Sequence, residues 1–398
     1  MPFTLARLPT ELLEMIAMAL AGDFAQAYSE EGQVICRLRS TCREALDKLD
    51  TKFFSTYFAS RDLWLDQRKL AELDLISQRP ELADRITELT VFCQADSDDI
   101  DDAFEAGRSL IAPGGTASTL TVTLRRLANL GSLEFVDMAT EETPPLATSH
   151  NIGSSFAAVM LALESCKCTL RSLASIADTS PWRVVGMLEA RTLLCLSPSL
   201  AMLERLDLSI LCAPTLTGKA ANGLKKGSEL AIALQRCPQL KNLSLRLLFA
   251  PEASVAFAAL ASMLILPKLQ SFQLWQSSCT MNDLGIFLLN HAATVRNLSL
   301  TTVVFHGGSP AAVTDLLDLM QKSMTLNTIE VSHLKMCATN GYEHTATIGF
   351  PGINQVMFGP EPEADDFMFI DTFLLLERAE GLNEELAQMK ECVVYTAF

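Results

Sequence analysis

Leu203-Glu-Arg-Leu206-Asp-Leu208 and Leu240-Lys-Asn-Leu243-Ser-Leu245 share one pattern: an apolar residue, two polar or small residues, then apolar, polar, apolar. The alternating end of this pattern predicts a strand with one buried face. Five further segments follow it: Ile86-Thr-Glu-Leu89-Thr-Val91, Leu130-Gly-Ser-Leu133-Glu-Phe135, Leu269-Gln-Ser-Phe272-Gln-Leu274, Val295-Arg-Asn-Leu298-Ser-Leu300 and Leu326-Asn-Thr-Ile329-Glu-Val331. From Leu203 onwards the pattern recurs about every 30 residues, which is typical of a repeat protein.

Helical stretches are predicted between these strands. They are Ser228 to Arg236, Glu252 to Met263, Asn282 to His291 and Pro310 to Ser323. A strand followed by a helix, repeated, gives parallel strands joined by right-handed crossovers. The sequence therefore predicts an α/β solenoid in which the leucines of successive strands stack into core rows.

Loops and a terminal segment are predicted around this array. The loops are the acidic stretch Asp96 to Asp102 and the polar, Pro- or Gly-bearing stretches Ala139 to Ser149 and Leu211 to Gly227. After Tyr342 we expect a strand near Thr345 to Phe350, an acidic turn, and a closing helix from Phe367 to Lys390. Residues from about 342 to 398 are interpreted as a cap on the solenoid.

Composition limits the function classes. The chain has 398 residues, 49% of them hydrophobic and only 7% aromatic, so its core is built from small aliphatic side chains. The formal net charge of -16 is the wrong sign for a nucleic-acid binder or for an anionic membrane surface. The 11 cysteines show no disulfide-framework spacing, which favours buried thiols in a reducing compartment. We expect a cytoplasmic or nuclear protein without a signal peptide or a membrane span.

The amino-terminal region is predicted to be helical. An amphipathic helix runs from Leu8 to Leu20, and a second runs from about Gln33 to Leu49. Residues 51–85 are interpreted as a helical linker. This divides the chain into a helical domain at 1–50, the linker, and the solenoid with its cap at 86–398.

The first helices carry a recognisable order of residues. Leu8-Pro9-Thr-Glu11-Leu12-Leu13-Glu-Met-Ile16 resembles the first half of an F-box, and Ile35-Cys36-Arg37-Leu38-Arg39-Ser40-Thr41-Cys42-Arg43 resembles its second half. Together with the leucine-rich repeats, the chain resembles the divergent F-box/leucine-rich-repeat proteins of filamentous fungi. The loop between the halves, around Ala21 to Gly32, is longer than is usual in that family.

The resemblance implies a partner and a role. An F-box binds a Skp1-like adaptor, and through it a cullin-containing ubiquitin ligase, while the repeats select a protein substrate. The residues implied in Skp1 binding are Leu8, Pro9, Leu12, Leu13, Ile16, Ile35, Leu38 and Cys42. Two alternatives stay open: the first helix is core for the helices after it, and the chain is a solenoid scaffold outside any ligase.

The residues between the core leucines point to the opposite face of each predicted strand. They would line a concave sheet on which a protein target binds, and Arg246 and Trp275 stand out because Arg and Trp are frequent binding hot spots. The target-binding candidates are Arg205, Asp207, Arg246, Gln273, Trp275, Asn297 and Glu330.

Catalytic chemistry is not predicted. The five histidines have no metal-ligand or nucleophile spacing, and no phosphate-binding glycine loop or catalytic-serine motif occurs. The acidic run Asp96 to Asp102 lacks the glycine and glutamate that a calcium-binding loop needs, so a solvated loop is expected. No cofactor and no metal are expected, and an enzyme remains a third hypothesis only if the fold gathers titratable groups that spacing does not reveal.

Overall fold

A computed structural model describes the greater part of the chain from residue 58 onwards, with gaps, and the statements below concern these residues. The described ranges are 58–65, 67–93, 116–137, 158–176, 198–211, 221–248, 252–307, 310–337, 344–349, 373–377 and 394–397.

The described residues form one sheet whose first nine strands are all parallel to their neighbours. Each strand pairs with the strand before it in the sequence. These strands are Ser60–Trp64 (β1), Glu88–Cys93 (β2), Ser132–Asp137 (β3), Ser172–Ile176 (β4), Arg205–Leu211 (β5), Asn242–Leu248 (β6), Ser271–Cys279 (β7), Asn297–His306 (β8) and Thr328–Ser332 (β9).

Helices alternate with these strands. They are Gln67–Ser77 (α1), Pro80–Ala83 (α2), Thr116–Arg126 (α3), residues 158–166 (α4), Ala221–Leu234 (α5), Glu252–Met263 (α6), Met281–Asn290 (α7) and Pro310–Ser323 (α8). Three of the predicted helical stretches match α6 to α8 closely, and the fourth, Ser228 to Arg236, overlaps only the second half of α5. The prediction of a mixed α/β fold with parallel strands is confirmed, and the alternation is compatible with an α/β solenoid.

One hydrogen-bond arrangement repeats where each strand begins. The amide groups of Lys241 and Asn242 both donate to the carbonyl oxygen of Glu204, at 2.8 and 3.0 Å. The corresponding pair of amides donates to a single carbonyl at every parallel junction from β1 to β9. Every strand therefore enters the sheet in the same register, which is why the leucine pattern is visible in the sequence.

The leucine side of the sheet forms the core. The pattern positions of the seven predicted strands are buried in every case. Phe272 on β7 packs on Phe287 of α7, with ring centroids 4.3 Å apart, and Phe287 packs on Phe257 of α6 at 5.9 Å. Helices thus cover this face, and burying each such side chain contributes about 1.5–3 kcal/mol.

Two of the nine parallel strands were not predicted. Leu170-Arg-Ser-Leu173-Ala-Ser175 enters β4 with the repeat's first two apolar residues, but buried Ser175 replaces the third, so the pattern fails there. Strand β1 lies inside the segment predicted to be a helical linker, and that prediction is wrong for residues 60–64. Arg61 occupies the position that Leu89 occupies in β2, which hides the repeat, while Leu63 pairs with Val91 and is buried. The described sheet therefore begins at residue 60, before the predicted start of the solenoid at 86.

Helix α5 begins at Ala221, inside a stretch predicted to be a loop up to Gly227. The prediction failed because glycine usually interrupts helices. Here Gly227 allows a close approach: a Cβ at this position would lie 2.0 Å from the carbonyl oxygen of Ala256 on α6. The glycine is a packing residue between two adjacent helices rather than a helix terminator.

The last strands add antiparallel pairs to the sheet. Lys335–Cys337 (β10) pairs with β8 in parallel, His344–Gly349 (β11) is antiparallel to β10, and Val394–Ala397 (β13) is antiparallel to β11. Phe373–Glu377 (β12) is antiparallel to β9.

The strand near residues 345–350 is confirmed as β11. The prediction of a closing helix is wrong at residues 373–377, which form β12. A short apolar run fits either a helix or a strand, and here the free edge of β9 pairs with it. The predicted acidic turn lies outside the described residues. None of the helices in the described part of the chain has the length and apolar character that a bilayer-spanning segment requires.

Candidate functional site

The side of the sheet opposite the leucines, here called the polar face, presents three rows of aligned side chains across β5 to β9. The strand register places them side by side, except that Arg246 and Trp275 are joined by their side-chain contact just past the last paired residues of β6 and β7. The first row is Arg205, Asn242, Ser271, Asn297 and Thr328; the second is Asp207, Ser244, Gln273, Ser299 and Glu330; the third is Ser209, Arg246, Trp275, Thr301 and Ser332. All seven predicted target-binding residues belong to these rows, so the fold brings them onto one face.

The first two rows are partly accessible. Arg205 is exposed, whereas Gln273, Asn297 and Glu330 are partly buried. Within the first row, the Thr328 hydroxyl donates to the Asn297 side-chain oxygen at 2.9 Å. These side chains are placed where a partner surface can reach them, and their role in binding a target stays a prediction.

Carboxylates collect near β3 and β5. Burial raises the pKa of Glu134, and repulsion from Glu88 and Asp207 raises it further, while Arg205 opposes the rise. Burial also raises the pKa of Asp207, with Ser244 and Arg205 acting in the opposite direction. Glu134 was not among the predicted site residues, although the repeat pattern at Leu130 would have placed it in the second row, next to Ala174 and Asp207.

Arg246 is the main departure from expectation. It was predicted to lie on an accessible face, yet only 1% of its surface is exposed. Its guanidinium carbon lies 4.7 Å from the centroid of the Trp275 ring, a cation–π contact. Burial lowers the pKa of Arg246 to about 10, so the side chain still carries its charge at neutral pH.

The far ends of β7, β8 and β9 share a kink. Gln276, Thr302 and His333 have φ angles of 43°, 54° and 52°, and the register aligns them across the sheet. This left-handed conformation is unfavourable for residues other than glycine, and most of all for a β-branched one such as Thr302. Because each kink inserts one residue into the alternation, burial on β8 passes from Leu300 to Val303.

A hydroxyl replaces a backbone partner at the kink. Ser277 Oγ accepts a hydrogen bond from the Leu247 amide at 2.7 Å and donates to the Trp275 carbonyl at 2.8 Å. The regular pairing of β6 and β7 ends at Leu245 and Leu274, just before this point. Ser277 therefore holds β6 and β7 together next to Arg246 and Trp275.

The predicted Skp1-binding residues cannot be placed on this framework. Leu8, Pro9, Leu12, Leu13, Ile16, Ile35, Leu38 and Cys42 lie outside the described residues, as does the acidic run Asp96 to Asp102. The adaptor prediction for the amino-terminal segment therefore rests on its sequence alone.

Outside the polar face, a buried histidine and a pair of cysteines have a perturbed pKa. His291 is buried; its Nδ1 lies 2.8 Å from the Phe287 carbonyl oxygen, and its Nε2 accepts from the Leu266 amide at 3.0 Å. The bond from the Leu266 amide needs an unprotonated Nε2, and burial lowers the pKa of His291 accordingly, while the bond to the Phe287 carbonyl acts in the opposite direction. Cys166 and Cys168 are free thiols that contact each other, which lowers the pKa of Cys166. Within the described residues, no three His, Cys, Asp or Glu side chains are grouped to hold a metal ion.

Comparison with known proteins adds no assignment. No protein-family model matches the chain, and a search of curated proteins gives no significant match.

Proposed function

We propose that this chain is a substrate-recognition adaptor of a Skp1–cullin–F-box ubiquitin ligase. Its F-box-like amino-terminal segment docks on a Skp1-like protein, and its leucine-rich repeats hold a protein target on the polar face. The adaptor performs no chemistry itself; it raises the concentration of the target near the ligase.

The observation that carries the proposal is the polar face. Helices α6 and α7 pack on the leucine side of the sheet, and a broad surface of aligned arginine, tryptophan, carboxylate and amide side chains lies on the other side. A surface that mixes Trp and Arg with polar neighbours is typical of protein-binding patches. A broad polar sheet suits the recognition of another protein better than a reaction, which needs a concave pocket.

The amino-terminal segment supports the ligase part of the proposal through its resemblance to an F-box. A helical unit of about 50 residues cannot bury all of its apolar surface alone. Leu8, Leu12, Leu13 and Ile16 recur at helical spacing, so they form a stripe that fits the groove of a partner.

Co-purification with a Skp1-like protein tests the proposal. The double substitution Leu12→Glu and Leu13→Glu places two carboxylates on the apolar stripe, and we expect it to abolish co-purification of Skp1 and cullin. The matched control is Met18→Glu, which places the same group on the opposite side of the predicted helix and should leave binding unchanged. Thermal unfolding of each variant shows whether the repeats remain folded.

Retention of Skp1 by the folded double variant would overturn the adaptor proposal. If the parent chain is monodisperse alone and never captures cullin from its native cells, the scaffold alternative replaces it. Loss of binding in both the double variant and Met18→Glu would mean that charge anywhere on the segment disrupts it, and would also count against a specific groove contact.

A further inference from the structure

Among the residues that the structure describes, none supplies a counter-charge to the buried guanidinium of Arg246. Its Nε and Nη1 atoms are buried and have no hydrogen-bond partner. Burial alone perturbs its pKa, and no carboxylate contributes. Asp207, the nearest acidic member of the second row, has its attractive interaction with Arg205 instead. A buried cation whose donors are unsatisfied is strongly destabilising, so this arrangement calls for an anionic partner.

Further polar groups without a hydrogen-bond partner lie on β5 and β7, the two strands that flank Arg246. Ser209 precedes Arg246 in the third row and Trp275 follows it, and the Ser209 hydroxyl and the Trp275 Nε1–H are both buried without a partner. The Ser278 hydroxyl, just beyond the kink on β7, is buried and unpartnered as well. Strands β5, β6 and β7 thus bring several unpaired hydrogen-bond donors to the same end of the polar face. Buried polar groups in proteins are normally paired.

The position of the cluster allows access. Trp275, Gln276 and Thr301 beside it are only partly buried, so the cluster lies just beneath the surface of the polar face. On β7, Ser277 Oγ accepts a hydrogen bond from the amide of Leu247, the residue after Arg246, so Ser278 follows close to the end of the third row.

From these contacts we infer that Arg246, Trp275, Ser209 and Ser278 form a binding site for an oxyanion, a phosphate or a carboxylate group. The guanidinium supplies charge, and its unpaired Nε and Nη1 groups supply hydrogen-bond donors, which arginine uses to bind such groups. The chain's net charge of -16 repels free anions at long range, so binding relies on these short-range hydrogen bonds. That the oxyanion belongs to a protein target rests on the proposed function; the site itself does not.

Titration of the purified full-length chain tests the inference. Inorganic phosphate and acetate are each added at constant ionic strength, with sodium chloride as the reference, and the unfolding temperature is measured. We expect one of the two anions to raise it in a saturable way, since a ligand that binds only the folded state stabilises it. The anion that acts distinguishes a phosphate site from a carboxylate site.

Variants assign the effect to the cluster. Arg246→Gln should abolish the saturable response, and Arg246→Lys, which keeps the charge but loses the planar set of donors, should weaken apparent affinity about tenfold. Arg85→Gln, on an exposed arginine before β2 and outside the polar face, is the matched control and should respond like the parent. Arg246→Lys keeps the inference testable if Arg246→Gln does not fold.

Three results would overturn the site: no response to either anion beyond that to chloride, a full response in Arg246→Gln or Arg246→Lys, or loss of the response in Arg85→Gln. Skp1 co-purification separates this failure from failure of the proposed function. Arg246→Gln should still retain Skp1, and a chain that binds phosphate but never captures Skp1 keeps the oxyanion site while losing the ligase role.

Discussion

The two faces of the sheet are both buried where β6 and β7 meet, but the groups that they bury differ. Leu245 and Arg246 are consecutive residues, with exposed fractions of 0% and 1%. Leu245 lies among other hydrocarbon side chains of the core. Arg246 lies against Trp275 with two of its nitrogen atoms unpaired.

Burial therefore has opposite effects on the stability of the fold on the two faces. On the leucine face, removing apolar surface from water stabilises the fold directly. On the polar face, burial of hydrogen-bond donors that lack a partner opposes folding. The role of those residues is therefore something other than stabilising the fold. Positions where burial does not stabilise are the ones at which to look for binding.

The largest expected contrast comes from truncating these two neighbours. Leu245→Ala should lower the free energy of unfolding by about 3 kcal/mol, because it removes apolar contacts and leaves a cavity. Arg246→Met should leave it within about 1 kcal/mol of the parent or raise it, since relief of an uncompensated charge offsets the lost cation–π contact. Urea unfolding in phosphate-free buffer measures both values.

Leu224→Ala is the control for the first variant, because 56% of Leu224 is exposed and the same truncation there should cost little. If Arg246→Met proved as destabilising as Leu245→Ala, Arg246 would be satisfied in the folded protein, and the contrast between the faces would disappear.

The sequence predicted the leucine face far better than the polar face. Because every strand enters through the same pair of backbone hydrogen bonds, Leu206, Leu243 and Leu298 had to fall into register, and spacing alone revealed them. Alternation also showed which side chains share the polar face. It could not show that Arg246 is buried, because that depends on how neighbouring strands stack and bend rather than on its own position in a period.

The kinks escaped prediction for a related reason. Gln276, Thr302 and His333 are not residues that favour a left-handed conformation strongly enough to reveal it, and only their alignment across three strands shows the bend. At Ser175 and Arg61 the repeat was hidden because a polar residue occupies a leucine position. Local departures from the pattern thus concealed two strands whose backbone follows the repeat.

An intermediate effect on stability is expected just past the kink in β7. Ser277→Ala should lower the free energy of unfolding by about 1–3 kcal/mol, because the Leu247 amide loses its acceptor in a buried place. The neighbouring Ser278→Ala is the matched control: its hydroxyl is also buried but has no partner, so its removal in phosphate-free buffer should be nearly neutral. Equal losses for the two serines, measured by urea unfolding, would show that Ser278 has a partner and would remove it from the proposed oxyanion site.

The smallest expected effect tests the kink itself. Thr302→Gly should raise the free energy of unfolding by about 0.5–1 kcal/mol, because glycine adopts a positive φ without the strain of a β-branched side chain. Thr301→Gly, one residue earlier in the third row, should instead lower it by about 0.5–1 kcal/mol through the entropy that glycine loses in a strand. Paired thermal unfolding of the two variants reads out the sign of each change. If both glycines destabilised the protein alike, Thr302 would be an ordinary strand residue, and the kink would not extend from Gln276 on β7 to β8.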